Sequence, residues 1–282
     1  PGSRSRRERA VREARAAAKV RHPNVVRTFD VGLADGSPYI IMEYFEGGTL
    51  ADRLGKAGAL PARDAAQMVL ALAEAVEAIH QKGLIHRDLK PSNVLLHGLI
   101  PVVTDFGLAR ERDADGSTDV RHGPGTPGYM APEQAEGRPE AIEPAVDVFA
   151  LGAILFRLLT GRPPFVGETR METIRQTLAG KAPPVSQYAA GIPRRLETIV
   201  ATCLRRRPAD RYLSADELAE ELRRFLEGRR PVRRTSRLRA RVGAILAAAA
   251  VAAALTVPSL SLPSPPPPGQ PPSPGVSADA RI

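Results

Sequence analysis

The sequence predicts an α+β fold in which a short pair of strands precedes a larger, mainly helical region. Two short runs rich in β-branched and aromatic residues, at 25–31 and 39–43, flank the turn sequence Asp35-Gly36 and predict paired strands. Between residues 46 and 228 most apolar residues recur at helical spacing, which predicts packed helices. With 282 residues, 43% of them apolar, the chain is long enough to bury a substantial core.

The first predicted elements are a helix at 4–21, rich in alanine and arginine, and then the two strands. The next helix, at 61–82, begins with Pro61 at its first position and stops at Gly83. Its apolar residues share one face and are expected in the core: Ala65, Val69, Leu72, Val76 and Ile79.

Two later helices are predicted, one from its apolar composition and the other from an N-terminal capping sequence. Residues 147–160 are apolar on nearly all sides, which predicts a helix buried in the centre of the domain. Ser214, with Glu217 three residues later, forms a capping-box sequence for a helix that ends at Gly228.

Most of the net charge of +9 belongs to the end of the chain. From Arg229 onward there are eight arginines and one acid, Asp279, so the first 228 residues carry only +2. A nucleic-acid-binding protein usually carries basic residues on its folded body, interleaved with aromatics, whereas this chain has no tryptophan. We therefore expect no nucleic-acid partner. Cys203 is the single cysteine, which excludes an intrachain disulfide and a cysteine metal cluster.

Two segments after residue 228 predict a membrane anchor. Residues 229–241 hold seven arginines, and residues 242–257 are almost entirely apolar or small. Sixteen helical residues span only ~24 Å of the roughly 30 Å hydrocarbon core, so we extend the predicted transmembrane helix to 242–262. The arginine cluster indicates the cytoplasmic side. A helix buried in protein is the alternative. We expect a single-pass protein of the inner (cell) membrane, its folded part cytoplasmic and a proline-rich disordered tail, 263–282, outside.

Two loops carry polar side chains suited to phosphoryl transfer. The string His86-Arg87-Asp88-Leu89-Lys90-Pro91-Ser92-Asn93 is followed, twelve residues later, by Asp105-Phe106-Gly107. Asp88 can accept a proton or orient a hydroxyl, and Lys90 can steady a transferring phosphoryl group. Asn93 and Asp105 offer the hard oxygen ligands that Mg²⁺ prefers. A lone loop aspartate is more often a turn former, so the interpretation depends on the two loops together.

These two loops resemble those of the eukaryotic-type (Hanks-type) Ser/Thr protein kinases, and the chain resembles the bacterial, membrane-anchored members. The resemblance covers residues 8–227 and implies a protein-kinase-like fold, with a remnant of the small β lobe at 1–45 and the large lobe at 46–228. It implies that ATP and Mg²⁺ are used and that protein serine or threonine hydroxyls are the substrates, in signal transduction. The family pattern would make Asp88 the catalytic base and Lys90 the lysine typical of Ser/Thr kinases. Asn93 and Asp105 would be the magnesium ligands.

Further family positions match in the segment that follows. Thr126, in Gly125-Thr126-Pro127, would contact Asp88 and Lys90. Ala131-Pro132-Glu133 would close the activation segment, and Arg211 would pair with Glu133.

The resemblance also assigns a nucleotide-binding hinge. Met42 would be the gatekeeper, although simple core packing explains a methionine there equally well. The backbone of Glu43 and Phe45 would bond adenine, and Leu95 would form the floor under the base. Asp147 would hold the backbone of the catalytic loop.

The chain departs from the family pattern at its start. The glycine-rich phosphate loop and the strand lysine that would pair with Glu13, in the regulatory helix, do not occur. We therefore expect a sequence truncated at its N-terminus, an incomplete small lobe with an uncovered apolar face, and little phosphoryl transfer from residues 1–282 alone.

Two functions remain in view. In one, the chain is part of an active Ser/Thr kinase; in the other, it is a membrane-tethered pseudokinase that serves as a binding or scaffold module. The intact set of catalytic residues favours the first, because a scaffold has no chemical use for it. A homodimer through the membrane segment stays open, since no glycine-pair motif supports it.

Overall fold

The computed structural model describes residues 14, 18–34, 37–105, 127–137 and 143–231. The strands are β1 (Thr28–Ala34), β2 (Ser37–Met42), β3 (Val94–His97) and β4 (Ile100–Val103). The helices are α1 (Leu50–Ala57), α2 (Ala62–His80), α3 (Pro132–Ala135), α4 (Ala145–Thr160), α5 (Arg170–Ala179), α6 (Arg194–Cys203) and α7 (Ala215–Leu226). Short 3-10 turns lie at Pro91–Asn93, Pro127–Tyr129, Val185–Gln187 and Pro208–Asp210.

The strands form two antiparallel pairs. In the first, β1 pairs with β2 from Thr28↔Met42 to Ala34↔Ser37. In the second, β3 pairs with β4 from Val94↔Val103 to His97↔Ile100. The strand predicted at 25–31 begins later than expected, at Thr28, because Val25 and Val26 pair with β4 instead of β2. Val26 N–H donates to Val103 O at 2.9 Å, so this segment is bonded to β4.

The helical core follows the predicted periodicity. All five predicted core residues of α2 are fully buried: Ala65, Val69, Leu72, Val76 and Ile79. Helix α4 is buried along nearly its whole length, as its apolar sequence predicts, and Cys203 is also buried. Leu84 and Ile85 follow α2 without joining a strand.

The predicted capping box at α7 is half formed. Ser214 Oγ accepts the Glu217 N–H at 3.1 Å, as expected for the N-cap. The Glu217 carboxylate, however, accepts from the N–H of Leu213 at 3.0 Å, one residue before the cap.

The apolar side chains of the first sheet differ in exposure. Val31 and Ile40, which are paired in the register, pack against Ala14 and Ala18. Other large apolar side chains of the sheet are exposed: Phe29, Leu33 and Ile41. Ile41 lies on the face opposite Ile40, so apolar surface of the sheet is uncovered there within the described residues.

The predicted membrane span at 242–262 lies outside the described residues. Within the described part of the chain, no helix has the length and apolar character needed to cross a bilayer.

Candidate active site

A buried carboxylate from α4 holds the loop that carries the predicted catalytic residues. Asp147 is 1% exposed, and its two oxygens accept the backbone N–H groups of His86 (2.8 Å) and Arg87 (2.9 Å). The ring Nε2 of His80, at the end of α2, lies 2.7 Å from the same carboxylate. These contacts confirm the expected role of Asp147 as the anchor of the loop.

The surroundings of Asp147 favour its ionised form. Burial is the largest effect and alone would raise the pKa of Asp147. The hydrogen bond and charge of His80, together with His86, act in the opposite direction and hold the pKa below its usual value. A buried carboxylate with these donors can therefore remain a charged anchor for the loop.

Two non-glycine residues near this anchor adopt left-handed backbone conformations. Arg87 has φ = 67° and Asp105 has φ = 60°, and no other non-glycine residue in the described ranges has a positive φ. Such conformations cost on the order of 1–3 kcal/mol and persist where surrounding contacts enforce them. At Arg87 the chain turns sharply just before Asp88.

Asp88, Lys90 and Asn93 converge through side-chain contacts. Lys90 Nζ lies 2.8 Å from Asp88 Oδ2, and the two side chains are 18% and 13% exposed. The Asn93 amide donates to the backbone O of Asp88 at 2.8 Å and to Asp88 Oδ2 at 3.3 Å. Because these contacts use the NH₂ group of Asn93, its amide oxygen can still act as a ligand.

Backbone contacts bring Asp105 to the same loop. Thr104 N–H donates to Asn93 O at 3.1 Å, and Thr104 O lies 3.0 Å from His86 Nε2. Asp105 follows at once and is exposed. The amide oxygen of Asn93 and the carboxylate of Asp105 are the kinds of oxygen ligand that suit Mg²⁺.

One of the predicted hinge residues, Met42, contacts the residue before Asp105. Strand β2 ends at Met42, whose sulfur accepts from Thr104 Oγ1 at 3.7 Å, one residue before Asp105. The Glu43 N–H donates to Arg27 O at 2.9 Å. Phe45 and Leu95 are partly buried and pack against the core.

A glycine holds the hinge close to the floor strand β3. A Cβ on Gly47 would lie only 2.2 Å from Leu96 O, so a side chain there would force the two backbones apart. The next residue accepts a hydrogen bond: Leu96 N–H donates to Gly48 O at 3.0 Å. This close approach sets Leu95 beside the hinge.

Helix α3 supplies two further contacts. The guanidinium of Arg211 is fully buried and forms a two-point ion pair with Glu133, at 2.6 and 2.7 Å. This confirms the expected pairing of Arg211 with Glu133. The next residue, Gln134, donates from Nε2 to the backbone O of Arg87 at 2.7 Å.

Some predicted site residues lie outside the described residues: Glu13, Thr126 and the Phe106-Gly107 pair. Conversely, sequence reasoning missed His80 and Gln134. Gln134 contacts the catalytic loop from α3, 47 residues further along the chain, whereas His80 contacts the loop anchor Asp147 from the end of α2. No motif in the sequence marked either one.

Three comparisons with known proteins agree with this geometry. The family model described as "Protein kinase domain" matches residues 2–222. The chain is 37% identical over 226 residues to serine/threonine-protein kinase PknB of Mycobacterium leprae. It is 39% identical over 224 residues to serine/threonine-protein kinase PkaA of Streptomyces coelicolor. Each match covers 78% of this chain but only 36% and 40% of these relatives, so the chain spans well under half of their length.

A solved structure is also similar. The crystal structure of Rad53 1–466 in complex with AMP-PNP matches with a TM-score of 0.64 and 28% identity, over 75% of this chain and 53% of that one.

Proposed function

Because the chain belongs to the protein kinase family, we propose that it acts as a serine/threonine protein kinase, moving the γ-phosphoryl group of ATP to hydroxyls of other proteins. The observation that carries this proposal is the convergence of Lys90 and Asn93 on one oxygen of Asp88. Both contacts reach Oδ2. Within the described residues, no hydrogen bond reaches Asp88 Oδ1, and we assign this oxygen to the substrate hydroxyl.

The proposed reaction gives each side chain a distinct role. A serine or threonine hydroxyl of the substrate donates a hydrogen bond to Asp88 Oδ1. This contact aims the hydroxyl oxygen at the γ-phosphorus of ATP, and Asp88 accepts the hydroxyl proton as the new P–O bond forms. ADP leaves as the bond from the phosphorus to the bridging oxygen breaks. Lys90, held 2.8 Å from Asp88, places a cation where negative charge develops on the transferring group.

The remaining residues hold the nucleotide. Asn93 and Asp105 would hold Mg²⁺, which when bound neutralises phosphate charge. The Glu43 carbonyl and the Phe45 N–H would bond the adenine edge, with Met42 behind the base and Leu95 beneath it. The partly buried positions of Phe45 and Leu95 beside the hinge support this arrangement.

Substitution of the proposed base tests the function. In the protein expressed from its complete reading frame, Asp88→Asn should lower kcat by about 10²–10⁴-fold, the usual contribution of a positioned acid or base. Phosphate transfer from radiolabelled ATP to a protein substrate measures kcat, and Asp64→Asn, an exposed aspartate in α2, is the matched control. Equal activity of Asp88→Asn and wild type would remove Asp88 from the reaction.

The scaffold alternative predicts a different outcome. A pseudokinase would show no phosphoryl transfer in wild type, and Asp88→Asn would leave every measurable binding property unchanged. The retained Asp88, Lys90, Asn93 and Asp105, and the naming of both relatives as kinases, favour the enzyme.

The proposal extends to a membrane anchor at 242–262, with the cytoplasmic arginines at 229–241 and the tail at 263–282 outside. Its support is the arginine cluster beside an apolar stretch. The protein should remain in the membrane pellet after alkaline extraction, and deletion of 229–282 should release it. A wild-type protein found in the supernatant would refute the anchor.

A further inference from the structure

One side chain connects the catalytic loop to helix α3. The Gln134 Nε2 donates to the backbone O of Arg87 at 2.7 Å, and its Oε1 accepts the N–H of Ala131 at 3.1 Å. The two partners fix which end of the amide is which, because the reversed amide would set oxygen against oxygen and N–H against N–H. Gln134 is half-buried, and the residue before it is fixed by the buried ion pair to Arg211. Its side chain therefore projects from a rigid platform.

The contact falls on the peptide bond that leads into Asp88. The O of Arg87 and the N–H of Asp88 belong to one planar peptide unit. A hydrogen bond to that oxygen therefore fixes the orientation of the peptide plane that precedes the Asp88 Cα. The other end of the unit is held weakly, since Asp88 N–H lies 3.4 Å from His86 Nδ1. Asp147 fixes the two preceding peptides, through the N–H groups of His86 and Arg87, and within the described residues no hydrogen bond of Asp147 reaches this one.

The conformation of Arg87 makes this restraint matter. At φ = 67° its backbone lies in a region that a residue with a side chain adopts only when contacts enforce it. Asp147 holds the N–H of Arg87 and Gln134 holds its O, so the left-handed turn is clamped on both sides. Release of one clamp would let the turn relax and shift Asp88.

We propose that Gln134 is a positioning residue for phosphoryl transfer: by holding the carbonyl of Arg87, it fixes the peptide that aims Asp88. This inference rests on the proposed kinase function. The purely structural alternative is that Gln134 caps α3, where it occupies the third helical position and accepts the N–H of Ala131. A glutamate would serve that capping role equally well, and this difference separates the two roles.

Two variants of nearly equal size distinguish positioning from capping. Gln134→Glu keeps the acceptor for Ala131 N–H but replaces the donor to Arg87 O with an oxygen. Gln134→Met removes both contacts. In the protein expressed from its complete reading frame, both variants should lower kcat by about 10–100-fold, as displacement of a catalytic group does, with KM for ATP unchanged.

The capping role predicts instead that Gln134→Glu behaves as wild type, and that result would overturn the proposal. Gln176 provides the matched control. Its side chain, on helix α5, also bridges a backbone N–H and O, those of Val166, at 3.1 and 3.2 Å. Gln176→Glu and Gln176→Met should leave kcat unchanged.

Hydrogen exchange tests the same inference without activity. The amides of Arg87 and Asp88 should exchange at least several-fold faster in Gln134→Glu and Gln134→Met than in wild type, while amides of α2 exchange at unchanged rates, which also shows that the fold is intact. Unchanged exchange at Arg87 and Asp88 in both variants would overturn the positioning role. A wild-type protein that transfers no phosphate would defeat the kinase proposal and the catalytic purpose of Gln134, while the exchange result would still decide whether Gln134 holds the Arg87 peptide.

Discussion

Loss of one charge from the buried pair between Glu133 and Arg211 should strongly destabilise the fold. The perturbation is Glu133→Gln, which keeps the size of the side chain and removes its charge. In the wild type all five N–H groups of the Arg211 guanidinium are used: two on Glu133 and three on the backbone oxygens of Ala145, Arg205 and Arg206. The variant leaves a fully buried cation facing a neutral amide.

The magnitude follows from burial and from what remains around the cation. Breaking a buried ion pair by removing one partner costs about 3–5 kcal/mol. Three carbonyl oxygens and the face of Phe149, 4.9 Å from the guanidinium carbon, still favour the cation, so we expect the lower end, about 3 kcal/mol. For a domain of this size that loss lowers Tm by about 6–12 °C.

Urea unfolding followed by circular dichroism measures the change. Glu74→Gln is the matched control, because Glu74 pairs with Arg223 at 2.8 Å with the two side chains 39% and 37% exposed. A solvent-exposed pair of this kind contributes about 0–1 kcal/mol. If Glu133→Gln costs no more than Glu74→Gln, burial does not set the strength of this pair and the reasoning fails.

The double substitution gives a second check. Adding Arg211→Met to Glu133→Gln removes the stranded cation, so the double variant should lose less stability than the sum of the single variants. Strict additivity would show that the two side chains do not interact in the folded state.

Two further predictions concern glycine packing and pH. Gly152→Ala should lower the free energy of unfolding by about 1–3 kcal/mol, because the added Cβ would lie 2.3 Å from the Cβ of buried Cys203. Gly55→Ala, where the added Cβ meets open space within α1, should instead raise the free energy of unfolding by about 0.4–1 kcal/mol. Urea unfolding of both variants measures the two changes, and a loss of stability at both sites would contradict the packing argument. Because the pKa of Asp147 lies below its ordinary value of 3.8, its ionised form adds stability that is fully present above pH 3.8 and is lost as the pH falls through the lower folded-state pKa. The free energy of unfolding of Asp147→Asn should therefore change less over that acidic range than that of wild type, and parallel curves would contradict it.

The parts of the fold that the sequence predicts well are those set by local patterns. The buried face of α2 and the buried helix α4 follow from apolar spacing, which depends only on neighbours along the chain. The convergence of Lys90 and Asn93 on Asp88 likewise occurs within one short loop. Spacing along the chain is enough to predict such features.

The features that sequence reasoning missed depend on contacts between distant segments. The late start of β1 results from the hydrogen bonds that join Val26 and Asn24 to Val103, far along the chain. The contact of Gln134 with Arg87 joins residues 47 apart. A glutamine leaves no periodic or motif signal of such a partner, because its amide can bond any backbone group within reach.

The backbone hydrogen bonds between residues 24–26 and β4 affect which substitutions the chain tolerates at this junction. Val26 N–H donates to Val103 O, and Val103 N–H donates to Asn24 O at 2.8 Å, so both bonds run from backbone to backbone. Such bonds impose no side-chain identity, and any residue of suitable size preserves them. Asn24 differs, since its side-chain amide donates to Pro101 O at 2.8 Å. A saturation library across this junction should accept other apolar residues of similar size, proline excepted, at the buried Val26 and Val103, and few substitutions of any kind at Asn24.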